Sequence, residues 1–303
     1  DLPWIERLGP ERDGHVGEGF GTGHPGAPLC YASSMGLIDF SARAARNAWR
    51  IPLLGRILEA DYARSFAKMP RGRFRGVHAD FAKAEAAIPR NGRVGYDHDE
   101  LAGMYRDRIH KACQSDYAVL FWLRDLLNEQ TRLFDFGGHI GVSYYGWQNY
   151  LRYPPGMRWR ICDTPAIVRE GEAFARERGA EHLFFTDDLA TGQDTTIFMA
   201  AGSLQYVDMR VADILAKMGA RPQHLLINKM PLYDGETFVT VQSTGRAFHP
   251  YRISNREEFV AGIVALGYRL VDDWTNRETW CQIPHTRGRD IDAYSGYYFV
   301  REE

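Results

Sequence analysis

The stretch TRLFDFGGHIGVSYY, residues 131–145, decides how the rest of the chain is read. Leu133 to Phe136 form a short apolar run that predicts a buried strand. The run carries an acid, Asp135, and breaks into Gly137-Gly138-His139-Ile140-Gly141 before an aromatic segment that predicts a helix. A strand that gives way to a glycine loop and then a helix is a common cradle for a nucleotide-like ligand. The histidine is unusual there, because such loops favour glycine for backbone freedom and close ligand approach. His139 is expected to keep an ordinary backbone conformation and to lay its ring against the ligand or the neighbouring aromatics.

From 131 to 303 strands and helices alternate, the pattern of a parallel α/β sheet. Strands are expected at 132–136, 159–163, 183–186, 195–200, 224–228, 268–272 and 297–301. A further strand-like run, TFVTVQ, follows the fifth. The last two strands have no helix between them, which suits an antiparallel C-terminal edge. The helices carry punctuation: Thr164-Pro165 opens one that Gly179 closes, Asp208 caps one closed by Gly219, and Ser254 with Glu257 spells a capping box before Gly267. Residues 31–130 read as a mostly helical region on the acceptor side. Asp97 and Glu100 have capping-box spacing, and Tyr117, Leu120, Phe121 and Leu127 recur at helical intervals. Residues 1–30 have seven glycines between Gly9 and Gly26 and few apolar groups, so a mobile arm is expected.

The loop discriminates among ligands. A dinucleotide site needs G-x-G-x-x-G, and neither register of residues 137–143 supplies it. That disfavours a nicotinamide oxidoreductase. A phosphate loop fails as well, because no Gly-Lys-Ser/Thr follows. The remaining pattern, Asp135-x-Gly137-x-x-x-Gly141, suits S-adenosylmethionine, which has no phosphates. Its methionine part would lie along Gly137, Gly138, His139 and Gly141, with its carboxylate near the N-terminus of the following helix and its amine near Asp135 or the loop carbonyls. The second strand ends on Asp163, next to Thr164, where a carboxylate can accept both ribose hydroxyls. Asp187 and Asp188 end the third strand, in a position for the adenine amine. Gly202 and Ser203 end the fourth, near the reactive sulfonium. Acids and small residues at successive strand ends fit the edge where open α/β sheets bind ligands. No cluster of histidines and acids has metal-ligand spacing, so no metal is expected.

Bulk properties narrow the class further. The net charge is −2 with 25% charged residues, which gives no electrostatic case for nucleic acid. The four cysteines are far apart and lack C-x-x-C spacing. With no leader pattern at Asp1 and no apolar run long enough to span a membrane, a cytoplasmic protein with reduced thiols is expected. Nine basic and two acidic residues lie between Arg43 and Arg75. They read as a solvated helical face or as a contact for an anionic substrate or membrane surface.

The words RGVHADFAKAEAA, LFDFGGHIGVSYY, DTPAIVREG, AAGSLQYV, LLINKMPL, FVTVQSTG, HPYRISNREEF, GYRLVDDW and YSGYYFVRE occur in this order. Over residues 45–301 the chain resembles a bacterial family of S-adenosylmethionine-dependent methyltransferases often encoded among O-antigen and surface-polysaccharide genes. The resemblance implies the class I methyltransferase fold, a Rossmann-like seven-stranded sheet, and a glycan or small-molecule acceptor. An alcohol acceptor needs a general base, and His249 and His285 are the candidates. Tyr144, Tyr145, Gln205 and Tyr206 are candidate acceptor contacts, and Tyr251-Arg252 a candidate clamp for an anionic group. O-methylation of a sugar is the leading expectation. N-methylation of an amino-sugar or small amine, and a cofactor-binding module without chemistry, are the alternatives.

Overall fold

The structure, a computed structural model, describes residues 52–68, 71–89, 109 and 112–302. The expected glycine-rich arm, the Asp97–Glu100 box and the basic residues before Pro52 lie outside the described residues.

The first described elements are α1 (Pro52–Phe66), β1 (Arg73–His78) and α2 (Phe81–Ala86). A 3-10 turn at Gln114–Asp116 leads into α3 (Tyr117–Leu126) and then β2 (Arg132–Phe136). The α/β alternation follows: α4 (Val142–Trp147), β3 (Arg158–Cys162), α5 (Pro165–Arg178), β4 (Leu183–Thr186), β5 (Ile197–Ala201), α6 (Val211–Met218) and β6 (His224–Met230). The chain continues through β7 (Leu232–Tyr233), β8 (Phe238–Ser243), β9 (Phe248–Asn255), α7 (Arg256–Val264), β10 (Tyr268–Asn276) and β11 (Tyr294–Arg301).

Seven strands build one sheet in the order β10-β11-β6-β5-β2-β3-β4. β2 to β6 are parallel, and β11 runs antiparallel between β6 and β10. Numbered within this sheet alone, from the β4 edge, the order is 3-2-1-4-5-7-6, the strand order of the class I methyltransferase fold. The expected antiparallel C-terminal edge is therefore present. Leu133, Trp159, Ile197 and Leu226 pack one face against Leu123, Trp147 and Phe174 of α3, α4 and α5. Phe134, Phe198, Leu225 and Phe299 pack the other against Ile214 and Ile263 of α6 and α7.

The strand-like run at 238 belongs to a second sheet, β1-β8-β9-β7. β1 pairs with β8 from Arg73↔Ser243 onward, so the stretch 31–130 contributes a strand as well as helices. β8 is buried along its whole length because both faces are covered. Val239, Val241 and Phe248 pack on Phe66 and Ala84 of α1 and α2. Phe238, Tyr251 and Ile253 face the other way, onto Tyr294, Cys281 and Ile283. Val119, Leu120 and Leu123 of α3 enter the main core. Of the expected apolar face, Tyr117 and Phe121 are 51% and 62% exposed.

Two helix starts differ from expectation. Arg210 occupies the N-cap of α6 with Asp213 accepting its backbone N–H at 2.8 Å, while Asp208 pairs with Arg252. Asn255, not Ser254, caps α7, its side chain accepting from Glu258 N at 2.8 Å.

Candidate functional site

The strand order reverses between β2 and β5, and the crevice at the C-terminal ends of such neighbours is where open α/β sheets hold ligands. The loops that follow these two strands meet across that crevice. A Cβ on Gly137 (φ +73) would lie 2.3 Å from the Ser203 Cβ, so only glycine permits the approach. Ser203 Oγ donates to the Phe136 carbonyl and ties the two loops together. A Cβ on Gly138 would lie 2.5 Å from Asp135 Oδ2, because the loop crosses directly over that carboxylate.

Asp135 lies beneath the loop rather than in the open crevice. It is 1% exposed and accepts from Trp159 Nε1 at 3.1 Å. Burial pushes its carboxyl up to about 7, with the nearby Asp163 charge adding to the shift and Lys229 opposing it. Asp163, at the end of β3, is half-buried and anchors the loop from the other side. Its Oδ2 accepts His139 N at 3.0 Å and its Oδ1 accepts Thr164 N at 2.8 Å. A carboxylate held at this position by backbone amides has the chemistry to accept ligand hydroxyls. Thr164 Oγ1 beside it is buried and has no hydrogen-bond partner. His139 departs from the expected ordinary conformation: its φ is +55, in the left-handed region, with both ring nitrogens shielded from solvent. The loop carries a side chain where the backbone favours glycine, and strain of this kind clusters at ligand sites.

At the third strand end, Asp187 and Asp188 are exposed. Asp188 caps the turn that follows, accepting Ala190 N at 2.9 Å, which leaves Asp187 as the acid facing solvent there.

Lys229 and Asp116 complete the crevice, and neither was singled out in the sequence. Lys229 Nζ lies 2.8 Å from Asp116 Oδ1. Asp116 Oδ2 accepts Cys113 N at 3.0 Å and Trp147 Nε1 at 3.3 Å. Trp147 packs edge-on to Trp159, which returns the circuit to Asp135. On the opposite side, a Cβ on Gly202 (φ +87) would sit 3.5 Å from Lys229 Cβ and 3.8 Å from Gln205 Nε2. The glycine loops, Gln205, Lys229 and Asp116 thus form a ring of groups around the ends of β2, β5 and β6, with the buried tryptophan pair beneath it. The only signal in the sequence was a lysine directly after the buried run LLIN.

The inner face of the second sheet adjoins this ring through the turn Leu204–Tyr206. Gln205 is 3% exposed, and its Oε1 has no hydrogen-bond partner. Tyr206 donates to Gln242 Oε1 at 2.8 Å and packs edge-on to His249 and Tyr251. His249 is 3% exposed, with Nε2 3.4 Å from Thr244 Oγ1. Tyr251 shares a hydrogen bond with Tyr294 at 2.7 Å, and burial pushes its phenol well above the ordinary range, so it stays neutral. Arg252 follows Tyr251 on the strand and points to the opposite face. There it pairs with Asp208 at 2.7 Å, donates to Met209 O and stacks over Phe81, so the two residues do not form one clamp.

Tyr144 and Tyr145 are 2% and 8% exposed and pack among Tyr153, Trp159 and Phe174 as core aromatics rather than acceptor contacts. His285 packs its ring 5.8 Å from that of Tyr62 of α1, with φ +64.

The sheet order and the glycine loop at its switch point define the class I methyltransferase fold class. No family model matches the sequence, and no curated protein matches it. Solved structures resemble the fold distantly. Magnesium protoporphyrin IX methyltransferase from Synechocystis PCC 6803, with bound S-adenosylhomocysteine, is 15% identical over 62% of this chain and 82% of its own, with a TM-score of 0.42. The 1,6-didemethyltoxoflavin-N1-methyltransferase of Burkholderia thailandensis is 15% identical over 66% and 82%, with a TM-score of 0.43. A SAM-dependent methyltransferase from Methanosarcina mazei is 11% identical over 59% and 96%, at 0.43. These TM-scores are below 0.5, and the fold assignment rests on the strand order itself.

Proposed function

We propose that the protein is an S-adenosylmethionine-dependent methyltransferase acting on a sugar hydroxyl of a bacterial surface polysaccharide or its precursor. The observation that carries the reading is Asp163, held at the switch-point crevice by the backbone of the glycine loop on one oxygen and of α5 on the other. A carboxylate in that place suits a ribose diol, the buried Thr164 hydroxyl lies beside it, and no phosphate-binding motif competes. Bound cofactor supplies an electrophilic methyl on a sulfonium. The chain's part is to orient the two reactants in line, and positioning of that kind accounts for much of the rate in displacement reactions.

The acceptor side is carried by an amide and hydroxyls: Gln242, Tyr206 and Tyr251, while Gln205 adjoins Lys229 on the cofactor side. Such groups suit a polyhydroxylated acceptor, and the glycan itself rests on the sequence resemblance. His249 is assigned as the base that takes the acceptor's proton as the oxygen attacks, with Tyr206 joining it to the β5 loop. A second reading is N-methylation of an amino-sugar or small amine. The deep burial of His249 favours it, since a neutral amine needs no base.

Release of S-adenosylhomocysteine, followed with sugar and amino-sugar acceptors, tests both. The sugar reading expects turnover on hydroxyl acceptors and a loss of roughly 10²–10⁴ in His249→Ala. Turnover confined to amines and spared in His249→Ala supports N-methylation. Cofactor binding without any turnover reduces the protein to a binding module.

A further inference from the structure

We propose that Lys229 and Asp116 form a charge pair that receives the zwitterionic amino-acid end of the cofactor, Lys229 taking its carboxylate and Asp116 its ammonium. The inference rests on the methyltransferase reading and assigns a role to two residues outside the glycine loop.

Three features of the chain lead to it. The first is how Lys229 is aimed. Where β6 pairs with β11, Met230 faces Ser295 and Ile227 faces Tyr297, so three steps along β6 match two along β11. That is a β-bulge at Asn228 and Lys229, and bulges of this kind redirect side chains beside active sites. Lys229 stands in the left-handed region at φ +58, where glycine would sit without strain. Asn228 fixes the bulge from within: it is fully buried, donates to Ser115 O at 2.9 Å and accepts from Lys229 N at 2.9 Å and Trp274 Nε1 at 3.0 Å.

The second feature is the charge arrangement. The Lys229 and Asp116 side chains are 28% and 9% exposed, so the pair sits at the rim of the crevice with its cation toward the opening. A sunken ion pair is weak as a stabilising device compared with apolar packing. Adjacent opposite charges are, however, the complement of an α-amino acid, whose two charges are separated by a single carbon.

The third feature is an acceptor without a donor. Gln205, 3% exposed, donates from Nε2 to Lys229 O at 3.5 Å while its Oε1 has no partner. Asp116 contacts the Lys229 side chain and Gln205 its backbone carbonyl, so two acceptor-bearing groups adjoin Lys229, which suits an ammonium with three hydrogens to place. Gly202 adjoins both residues, and its left-handed φ of +87 is the conformation that favours glycine there.

The test compares two ligands that share the nucleoside and thioether but differ in the amino-acid end: S-adenosylhomocysteine and 5′-methylthioadenosine. Their dissociation constants are measured by calorimetry for the wild type, Lys229→Met and Asp116→Asn. Asparagine preserves the contacts to Cys113 and Trp147 while removing the charge. Lys229→Gly, which suits the left-handed backbone, serves if methionine prevents folding. The pair predicts that S-adenosylhomocysteine binding weakens roughly ten- to hundredfold in each variant, while 5′-methylthioadenosine changes by less than about twofold. Unchanged S-adenosylhomocysteine affinity, or equal loss for both ligands, overturns the pair while leaving the methyltransferase reading intact. A wild type that binds neither ligand overturns both.

Discussion

His139 shows how a single residue separates what the sequence carries from what the backbone demands. Its place in the loop marks it as a ligand-side residue, but its left-handed φ of +55 was not legible, because it depends on how Asp163 grips the loop from β3. The conformation makes a prediction independent of the ring. Glycine and alanine both remove the imidazole, but only alanine keeps the left-handed penalty of about 1 kcal/mol. His139→Gly should therefore be more stable than His139→Ala by about that amount in chemical denaturation. Equal stabilities would contradict the assigned backbone. The acids divide in a similar way. Asp135 and Asp163 looked alike as residues at strand ends, yet the loop buries the first and leaves the second half-open. Lys229 carried almost no signal, because a bulge is a property of two paired strands and not of either alone.

At the scale of elements, the seven strands of the main sheet were legible because each is a local apolar run followed by its own turn. Thr164-Pro165 and Gly179 marked α5 correctly, since Pro at the first helical position and a left-handed glycine at the end are local requirements. The caps of α6 and α7 shifted because two or three polar residues compete at each start, and tertiary partners decide among them. Asp208 is drawn away by Arg252, and Asn255 is held by Gly235 O and Thr237 Oγ1 as well as by its own helix. α3 buries Val119 and Leu123 rather than Tyr117 and Phe121. Its apolar residues run nearly all round the helix, so periodicity alone could not choose the face. The second sheet was the least legible. Arg73 pairs with Ser243, and no local pattern announces a partner that distant.

For the whole molecule, the crevice is where the two sheets and the segment before β2 converge, and its buried charge leaves a mark on global stability. Asp135 has a carboxyl raised from 3.8 to about 7 by burial, so the folded state binds its proton more tightly than the unfolded chain. Between about pH 4 and 7 the unfolded state has already lost that proton while the folded state keeps it. This group's contribution is therefore greatest below about pH 4, declines as pH rises, and is gone above about pH 7. Asp135→Asn should lose less stability than the wild type between pH 5 and pH 8, by an amount on the order of a few kcal/mol at most. Parallel pH profiles from denaturant unfolding of the two proteins would contradict the burial of this carboxyl.

On the proposed reading, the end of the sheet between β2 and β5 binds an adenosyl cofactor through Asp163. Calorimetric titration of S-adenosylhomocysteine into the wild type and Asp163→Ala measures this contact. The wild type is expected to bind measurably and the variant to lose tenfold or more, about 1.5–3 kcal/mol for charge-assisted hydrogen bonds to the ribose. No binding to the wild type, or the same affinity in Asp163→Ala, would contradict it.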